Sequence, residues 1–341
     1  MKIYYTDDHF AHHPKAELHR GKMVTPHEGP HRMDLLIAGM KRAGFTDFAT
    51  PPAFDTACLN GIHTQDYIHF VQTAWARWKD AGYAGDVLPM SFPYNPRRSK
   101  PPIEIDGAAG YFCSSADTMI TETTWTALAS TAACAVGTVD SITHGESAFA
   151  LIRPPGHHAG AKYMSGYCIF NNAAIAAQAL LNRGMERVAV LDVDFHHGNG
   201  TQDIFYDRDD VLFASLHGEP DHHFPYFWGY RDEKGAGDGD GYTFNYPLPA
   251  GTHYAAWRDA LLDAIAKIRA FKPDALVVSL GVDTFEQDPI SSFKLKVQDY
   301  PAYGAEIAKI GLPTSFIMEG GYGVPEIGDN TAGVLRGYMG G

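Results

Sequence analysis

The sequence predicts an α/β protein built around one mostly parallel sheet, and three observations carry that expectation. Strand-like apolar runs alternate with helical patterns along most of the chain. The runs are apolar at successive positions, as strands buried on both faces are. Most of them end abruptly in Gly, His, Asp or Glu, at the edge where parallel sheets form their ligand sites.

In order, a short strand is expected at 2–5, followed by a polar stretch carrying His9, His12, His13, His19, His27 and His31. These histidines lack metal-ligand spacing and read as surface or loop residues. Helical periodicity occupies 32–41 and again 64–80, where Tyr67, Val71, Trp75 and Trp78 recur three or four apart as a core-facing stripe. From 82 to 107 the chain becomes dense in Pro and Gly, too long a loop to be idle in most compact domains. It carries Arg97-Arg98-Ser99-Lys100 beside Glu104 and Asp106, and reads either as a solvated excursion or as a rim or dimer-contact loop bordering an active site.

Residues 124–143 form an Ala-rich helix suited to close packing on a sheet. A repeated grammar of strand, polar turn and helix follows. The strand at 147–152 leads into Arg153-Pro154-Pro155-Gly156-His157-His158, and the helix at 172–183 is stopped by Gly184. The strand at 188–195 runs into His196-His197-Gly198-Asn199-Gly200; that at 211–216 ends at His217-Gly218. Strands at 275–280 and 313–318 end at Gly281-Val282-Asp283 and Glu319-Gly320-Gly321-Tyr322. Between them, 254–271 is an amphipathic helix with Trp257, Leu261, Leu262, Ile265 and Ile268 on one stripe. No repeat or linker divides the chain, so one domain over 1–341 is expected, with 82–107 as an insertion loop that makes a homodimer plausible.

Composition is that of an ordinary soluble enzyme, and no apolar run reaches membrane-spanning length. The start, MKIYYTDDHF, lacks the layout of a signal peptide, so a cytoplasmic location without a membrane partner is expected. A formal net charge of −13 argues against nucleic acid as partner and favours a cationic ligand. Cys58, Cys113, Cys134 and Cys168 form no CxxC pair and are expected to be free thiols.

The chemistry concentrates at the strand ends. Alternation along an extended chain sends Asp192, Asp194 and His196 to one side. Asp194 and His196 together with Asp283 would make an Asp₂His site suited to Zn²⁺, Fe²⁺ or Mn²⁺, with a position left open for water and substrate. His157 and His158, held by a stiff Pro-Pro-Gly turn, could act as general base and proton donor. Asp192 is placed to accept from His157 and fix its tautomer, and Tyr322 to donate to a developing oxyanion. Each feature alone has a bland reading, such as a strand-end acid satisfied by backbone. Their combination points to metal-dependent hydrolysis.

RPPGHH at 153–158, DVDFHHGNGTQ at 192–202, GVDTFEQDP at 281–289 and EGGY at 319–322 resemble the zinc-dependent histone deacetylase superfamily. Within it the chain looks most like the bacterial acetylpolyamine amidohydrolases. The resemblance implies an arginase-like α/β fold, Zn²⁺ on Asp194, His196 and Asp283, His158 as general base, His157 as its electrostatic partner, and Tyr322 polarising the acetyl carbonyl. It further implies a tunnel walled by Tyr167 and Phe224, with acids Asp106 and Asp117 at its mouth to select a small cationic acetylated amine. Structural K⁺ sites would fall near Asp192, Asp194, His196, Ser215 and Leu216, and near Phe205, Arg208, Val211 and Tyr242.

One departure stands out: Asn199 occupies the place where relatives of another subclass have an aspartate orienting the second histidine. An amide cannot stabilise an imidazolium as a carboxylate does, so His158 is expected to be the harder of the two to protonate. Deacetylation of acetyl-lysine in proteins is the nearest rival reading. A two-manganese ureohydrolase would need another acid where His197 and Gly198 stand, and a binding module would not need the full set of catalytic side chains.

Overall fold

A computed structural model describes residues 1–93 and 100–340. Arg97, Arg98 and Ser99 of the expected rim loop lie outside the described residues.

The N-terminal third contains β1 (Lys2–Tyr4), a hairpin of β2 (Glu17–His19) and β3 (Lys22–Val24), α1 (His31–Arg42), β4 (Phe48–Ala49), α2 (Gln65–Asp80) and α3 (Ile105–Tyr111). Next come α4 (Thr124–Ile142), β5 (Ala148–Ala150), α5 (Asn172–Asn182), β6 (Val188–Asp192) and α6 (Asn199–Phe205). The chain continues through β7 (Val211–Gly218), β8 (Thr243–Leu248), α7 (Tyr254–Phe271), β9 (Ala275–Leu280), α8 (Asp299–Ala308), β10 (Thr314–Met318) and α9 (Ile327–Gly340).

Eight strands form one sheet in the order β4-β1-β5-β10-β9-β6-β7-β8, and every described pairing within it is parallel. Residues of β6, β7, β9 and β10 are buried throughout, which is why these segments read as unbroken apolar runs. Helices supply the covering layers. In α2 the expected stripe is turned inward at Tyr67, Val71 and Trp78, with Trp75 partly covered. In α7, Trp257, Leu261, Ile265 and Ile268 face the core and Leu262 lies at its margin. The Asn171 side chain caps α5 by accepting from Ala174 N at 2.9 Å.

Several elements depart from the sequence reading. The weakly apolar β4 and β8 extend the sheet at its two edges, where a strand needs burial on fewer sides. The segment 82–107 is not loop throughout, since α3 begins at Ile105 with Glu104 as its N-cap, accepting from Gly107 N. His9 and His12 are buried rather than superficial; His12 Nδ1 lies 2.9 Å from Thr124 Oγ1 at the start of α4.

The strand order is what creates the site. Four motifs scattered between residues 153 and 322 follow β5, β6, β9 and β10, which are consecutive neighbours in the middle of the sheet. Their carboxyl ends therefore open onto one place.

Candidate active site

β6 ends at Asp192, earlier than the alternation pattern suggests, and the chain then turns through carboxylate-to-backbone bonds. Asp192 Oδ1 accepts from Asp194 N at 3.1 Å, and Asp194 Oδ1 accepts from His196 N at 2.9 Å. These two bonds keep Asp194 and His196 directed at the sheet edge after regular strand geometry has stopped. Asp283, just beyond β9, reaches the same point: its Oδ1 accepts from Phe195 N at 2.8 Å, and its Oδ2 lies 2.9 Å from His196 Nδ1.

Asp194, His196 and Asp283 are buried and offer ligand atoms within 4.8 Å of one another. Two carboxylates face a single imidazole, a charge imbalance that a divalent cation would correct. Packing preserves room for these oxygens and little else. A Cβ on Gly281 would fall 2.0 Å from Asp194 Oδ2, and one on Gly320 would fall 2.6 Å from it and 2.8 Å from Asp283 Oδ2. The donor set fits Zn²⁺ or a similar transition ion.

The Pro-Pro-Gly turn after β5 lays His157 and His158 beside this cluster with ring centroids 4.0 Å apart. Glu319, at the end of β10, clamps that turn through its Oε2, which accepts from Gly156 N at 2.6 Å and His157 N at 3.1 Å. Burial pushes the Glu319 carboxyl up to about 7. His157 Nδ1 sits 3.0 Å from Asp192 Oδ2, and His158 Nδ1 sits 2.7 Å from Asn199 Oδ1.

The two imidazoles consequently differ. Burial opposes charge on His157, but Asp194 and Asp192 outweigh it and raise its pKa to about 10. Burial also opposes charge on His158, and there the positive charges of His157 and His196 add to the effect, holding it well below the ordinary histidine range. Asn199 is itself held, its Nδ2 donating to the Tyr163 hydroxyl at 3.4 Å, and that hydroxyl pairs with Asp203.

Tyr322 faces the cluster from the β10 side, with Asp288 Oδ2 accepting from its backbone N at 2.8 Å. Burial raises its phenol well above the usual range, so it stays a donor, while the neighbouring Arg32 guanidinium works the other way. The Arg32 guanidinium carbon is 4.6 Å from the Tyr322 ring centroid, close enough for a cation–π contact. Arg32 also donates to the carbonyls of Gly321 at 2.7 Å and Glu319 at 2.6 Å. Beneath them Glu28 bridges two buried guanidinium groups, accepting from Arg32 at 3.1 Å and from Arg153 at 2.8 and 2.7 Å.

A pocket of about 440 Å³ leads from the surface to His158, His196 and Tyr322. Tyr167 and Phe224 both line it: Phe224 meets His158 edge-on at 4.9 Å, and the Tyr167 ring centroid lies 5.6 Å from that of Tyr322. Asp117 lines it as well, its Oδ1 accepting from Ser115 at 2.6 Å and Thr118 at 3.0 Å. Asp106, in the first turn of α3, is not among the residues that line it. Of the residues proposed around potassium, Asp192 and Ser215 are register partners on β6 and β7, with Leu216 next along. Phe205, Arg208, Val211 and Tyr242 gather toward the start of β7, where Tyr242 O accepts from Phe213 N at 2.9 Å.

Sequence reasoning assigned no role to Arg32, Glu28, Asp288, Tyr163 or Glu319. Asp288 and Glu319 fall inside quoted motifs, where a buried acid beside a strand end was the available signal. Nothing local marks Arg32, Glu28 or Tyr163: apart from the Glu28–Arg32 pair four residues apart, their partners lie far away in sequence.

Residues 26–338 match the model of the histone deacetylase domain. The chain is 50% identical to an acetylpolyamine amidohydrolase of Mycoplana ramosa over 341 residues, covering 100% of both chains. It is 50% identical to acetylpolyamine amidohydrolase 2 of Pseudomonas aeruginosa, covering 100% of this chain and 99% of that one. A crystal structure of an acetylpolyamine aminohydrolase from Burkholderia pseudomallei superposes with a TM-score of 0.94 at 37% identity, covering 99% of this chain and 98% of the other.

Proposed function

Because the chain belongs to the histone deacetylase family, we propose that its pocket hydrolyses the amide of N-acetylated polyamines or related small acetylated amines, releasing acetate. Full-length identity of 50% to two acetylpolyamine amidohydrolases supports that substrate class over acetyl-lysine in proteins. The single observation that carries the chemistry is the convergence of Asp194, His196 and Asp283 with His157, His158 and Tyr322 at the end of one pocket.

Asp194, His196 and Asp283 would hold Zn²⁺, and Fe²⁺ suits the same donors. Bound there, the ion would supply a Lewis acid that polarises the acetyl carbonyl and makes water more acidic. His158, kept neutral by its surroundings, takes a proton from the attacking water through the ring nitrogen not engaged by Asn199. His157, kept protonated by Asp192 and Asp194, stabilises the negative charge that develops and is poised to support return of a proton to the departing amine. Tyr322 donates its hydroxyl to the carbonyl oxygen as that oxygen gains charge.

Tyr167 and Phe224 would enclose the alkyl chain, leaving Asp117 to face the ammonium of a cationic substrate. The buried carboxylate of Asp192, whose register partner on β7 is Ser215, supports a K⁺ role for that group. Exposed Met90, Phe92 and Ile103 support a homodimer in which these apolar side chains meet a second copy. Among the described residues, no helix is long and apolar enough to cross a membrane.

Steady-state kinetics with acetylputrescine, acetylspermidine and an acetyl-lysine peptide test the assignment. The acetylated amines should show the higher kcat/KM; a strong preference for the peptide would overturn it.

A further inference from the structure

The N-terminal histidines, unremarkable by spacing, contribute to a second ligand set once the hairpin folds. Glu17 and His19 stand two apart on β2, so their side chains leave the same face of the strand. β2 turns into β3 through Arg20 and Gly21, whose φ values of +48° and +80° close a tight hairpin. After β3 the chain doubles back. The His27 backbone N–H donates to Glu17 Oε2 at 3.3 Å, and His27 Nε2 lies 3.9 Å from Glu17 Oε1. The rings of His19 and His27 approach to 5.9 Å between centroids, and one ligand atom from each of the three residues lies within 4.8 Å of the others.

We propose that Glu17, His19 and His27 form a second divalent-metal site at the pocket mouth, taking Zn²⁺ or a similar transition ion, whose occupation weakens the binding of cationic substrates.

Two imidazoles and one carboxylate are the donors of zinc, cobalt and nickel rather than of magnesium or calcium, which prefer oxygen throughout. Three protein ligands leave the remaining positions to solvent. Asp117 lines the same small cavity as Glu17 and adds negative charge beside it, whereas Glu28 is already paired with Arg32 and Arg153. None of the three residues belongs to the Asp194–His196–Asp283 cluster, so the two sites can fill independently.

Position supplies the functional link. His19 lines the pocket together with His158, Tyr167 and Tyr322, and Glu17 Oε1 accepts from the Tyr167 hydroxyl at 3.3 Å. A dication held there stands beside the wall past which the substrate's ammonium travels. It neutralises the nearby carboxylate and repels the incoming charge, so affinity falls while the reacting groups are untouched. This regulatory half rests on the cationic-substrate reading above; the metal site itself does not.

The test counts metal before it measures turnover. Protein dialysed against zinc should retain two equivalents. His27→Ala should retain one, His196→Ala one, and the double variant none. His27→Gln serves where His27→Ala does not fold. Removing a ligand should cost at least the roughly 10- to 100-fold in affinity that losing a mere supporting partner costs. A single equivalent in the parent protein, or two in His27→Ala, overturns the site whatever the substrate proves to be.

Kinetics then test its effect. Added zinc should raise KM for acetylputrescine several-fold at constant kcat in the parent and leave His27→Ala unchanged, since His27 lies outside the pocket wall. Equal inhibition in both proteins overturns the regulatory role.

Discussion

His196 Nδ1 lies 2.9 Å from Asp283 Oδ2 although the two residues are 87 positions apart, joined only because β6 and β9 are neighbours in the sheet. With Asp194 at 3.3 Å from the same nitrogen, two carboxylates share one imidazole in a buried place. Such a grouping is poorly balanced alone and well balanced around a dication.

Metal removal should therefore cost stability as well as activity. Chelator-treated protein should melt at lower temperature, and Tm should climb with zinc concentration. At free zinc 1,000-fold above Kd the gain amounts to about 4 kcal/mol. A Tm indifferent to chelator and zinc would remove the ion from these three side chains.

Tyr322→Phe should retain the metal content of the parent and lower kcat by about 10²- to 10³-fold, the cost of one oxyanion donor. Arg32 and Asp288 fix this ring and its backbone independently of the hydroxyl, so the variant should fold normally. An unchanged kcat would take the phenol out of the mechanism.

Asn199→Asp should move the acid limb of the kcat/KM profile to higher pH. The base acts when neutral, and His158 is held well below the ordinary range by burial and by the charges of His157 and His196. A carboxylate at 199 favours the imidazolium, raises that pKa, and brings the loss of rate closer to neutrality. Coincident profiles for the two proteins would refute this.

Tyr163→Phe tests how the Asn199 amide is oriented. A carboxylate at Asp203 can only accept, so the Tyr163 hydroxyl donates to it and in turn accepts from Asn199 Nδ2, leaving Oδ1 for His158. Without the hydroxyl the amide can turn over and present a donor to His158. kcat should fall by part of the roughly 10²- to 10⁴-fold that a positioned base contributes. In an Asn199→Asp background the same change should have little effect, because both oxygens of a carboxylate accept; an equal loss in both backgrounds would contradict the orienting role.

Asp117→Ala should raise KM for cationic acetylated amines by about 10- to 100-fold, matching the roughly 1.5–3 kcal/mol of a hydrogen bond to a charged group. Values of kcat, and of KM for a neutral acetylated amide, should change little. A uniform loss across both substrate types would instead mark Asp117 as a support for the 115–118 turn.

The sheet and the candidate reacting groups were legible in the sequence for one reason: acids and histidines at the ends of apolar runs are costly unless a site requires them. Asp194, His196, Asp283, His157, His158 and Tyr322 all announced themselves in that way. The edge strands β4 and β8 did not, because an edge asks less of its residues. Asp106 illustrates the limit of local pattern, since it matches a motif position yet is not among the residues that line the pocket of this chain. The paired histidines of the hairpin show the converse: His19 and His27 acquire a shared neighbourhood only when the chain folds back on Glu17.

Glu28 has one more consequence. It is the sole carboxylate bonded to both Arg32 and Arg153 among the described residues, and it sits in the connection between β3 and α1, outside the eight-stranded sheet. Replacing Glu28 by Gln would leave two guanidinium charges uncompensated in the interior, directly under the phenol of Tyr322. Such a variant would go silent while its β-structure still gave a native circular dichroism signal, making a loop carboxylate remote from the reacting atoms a working part of the catalyst.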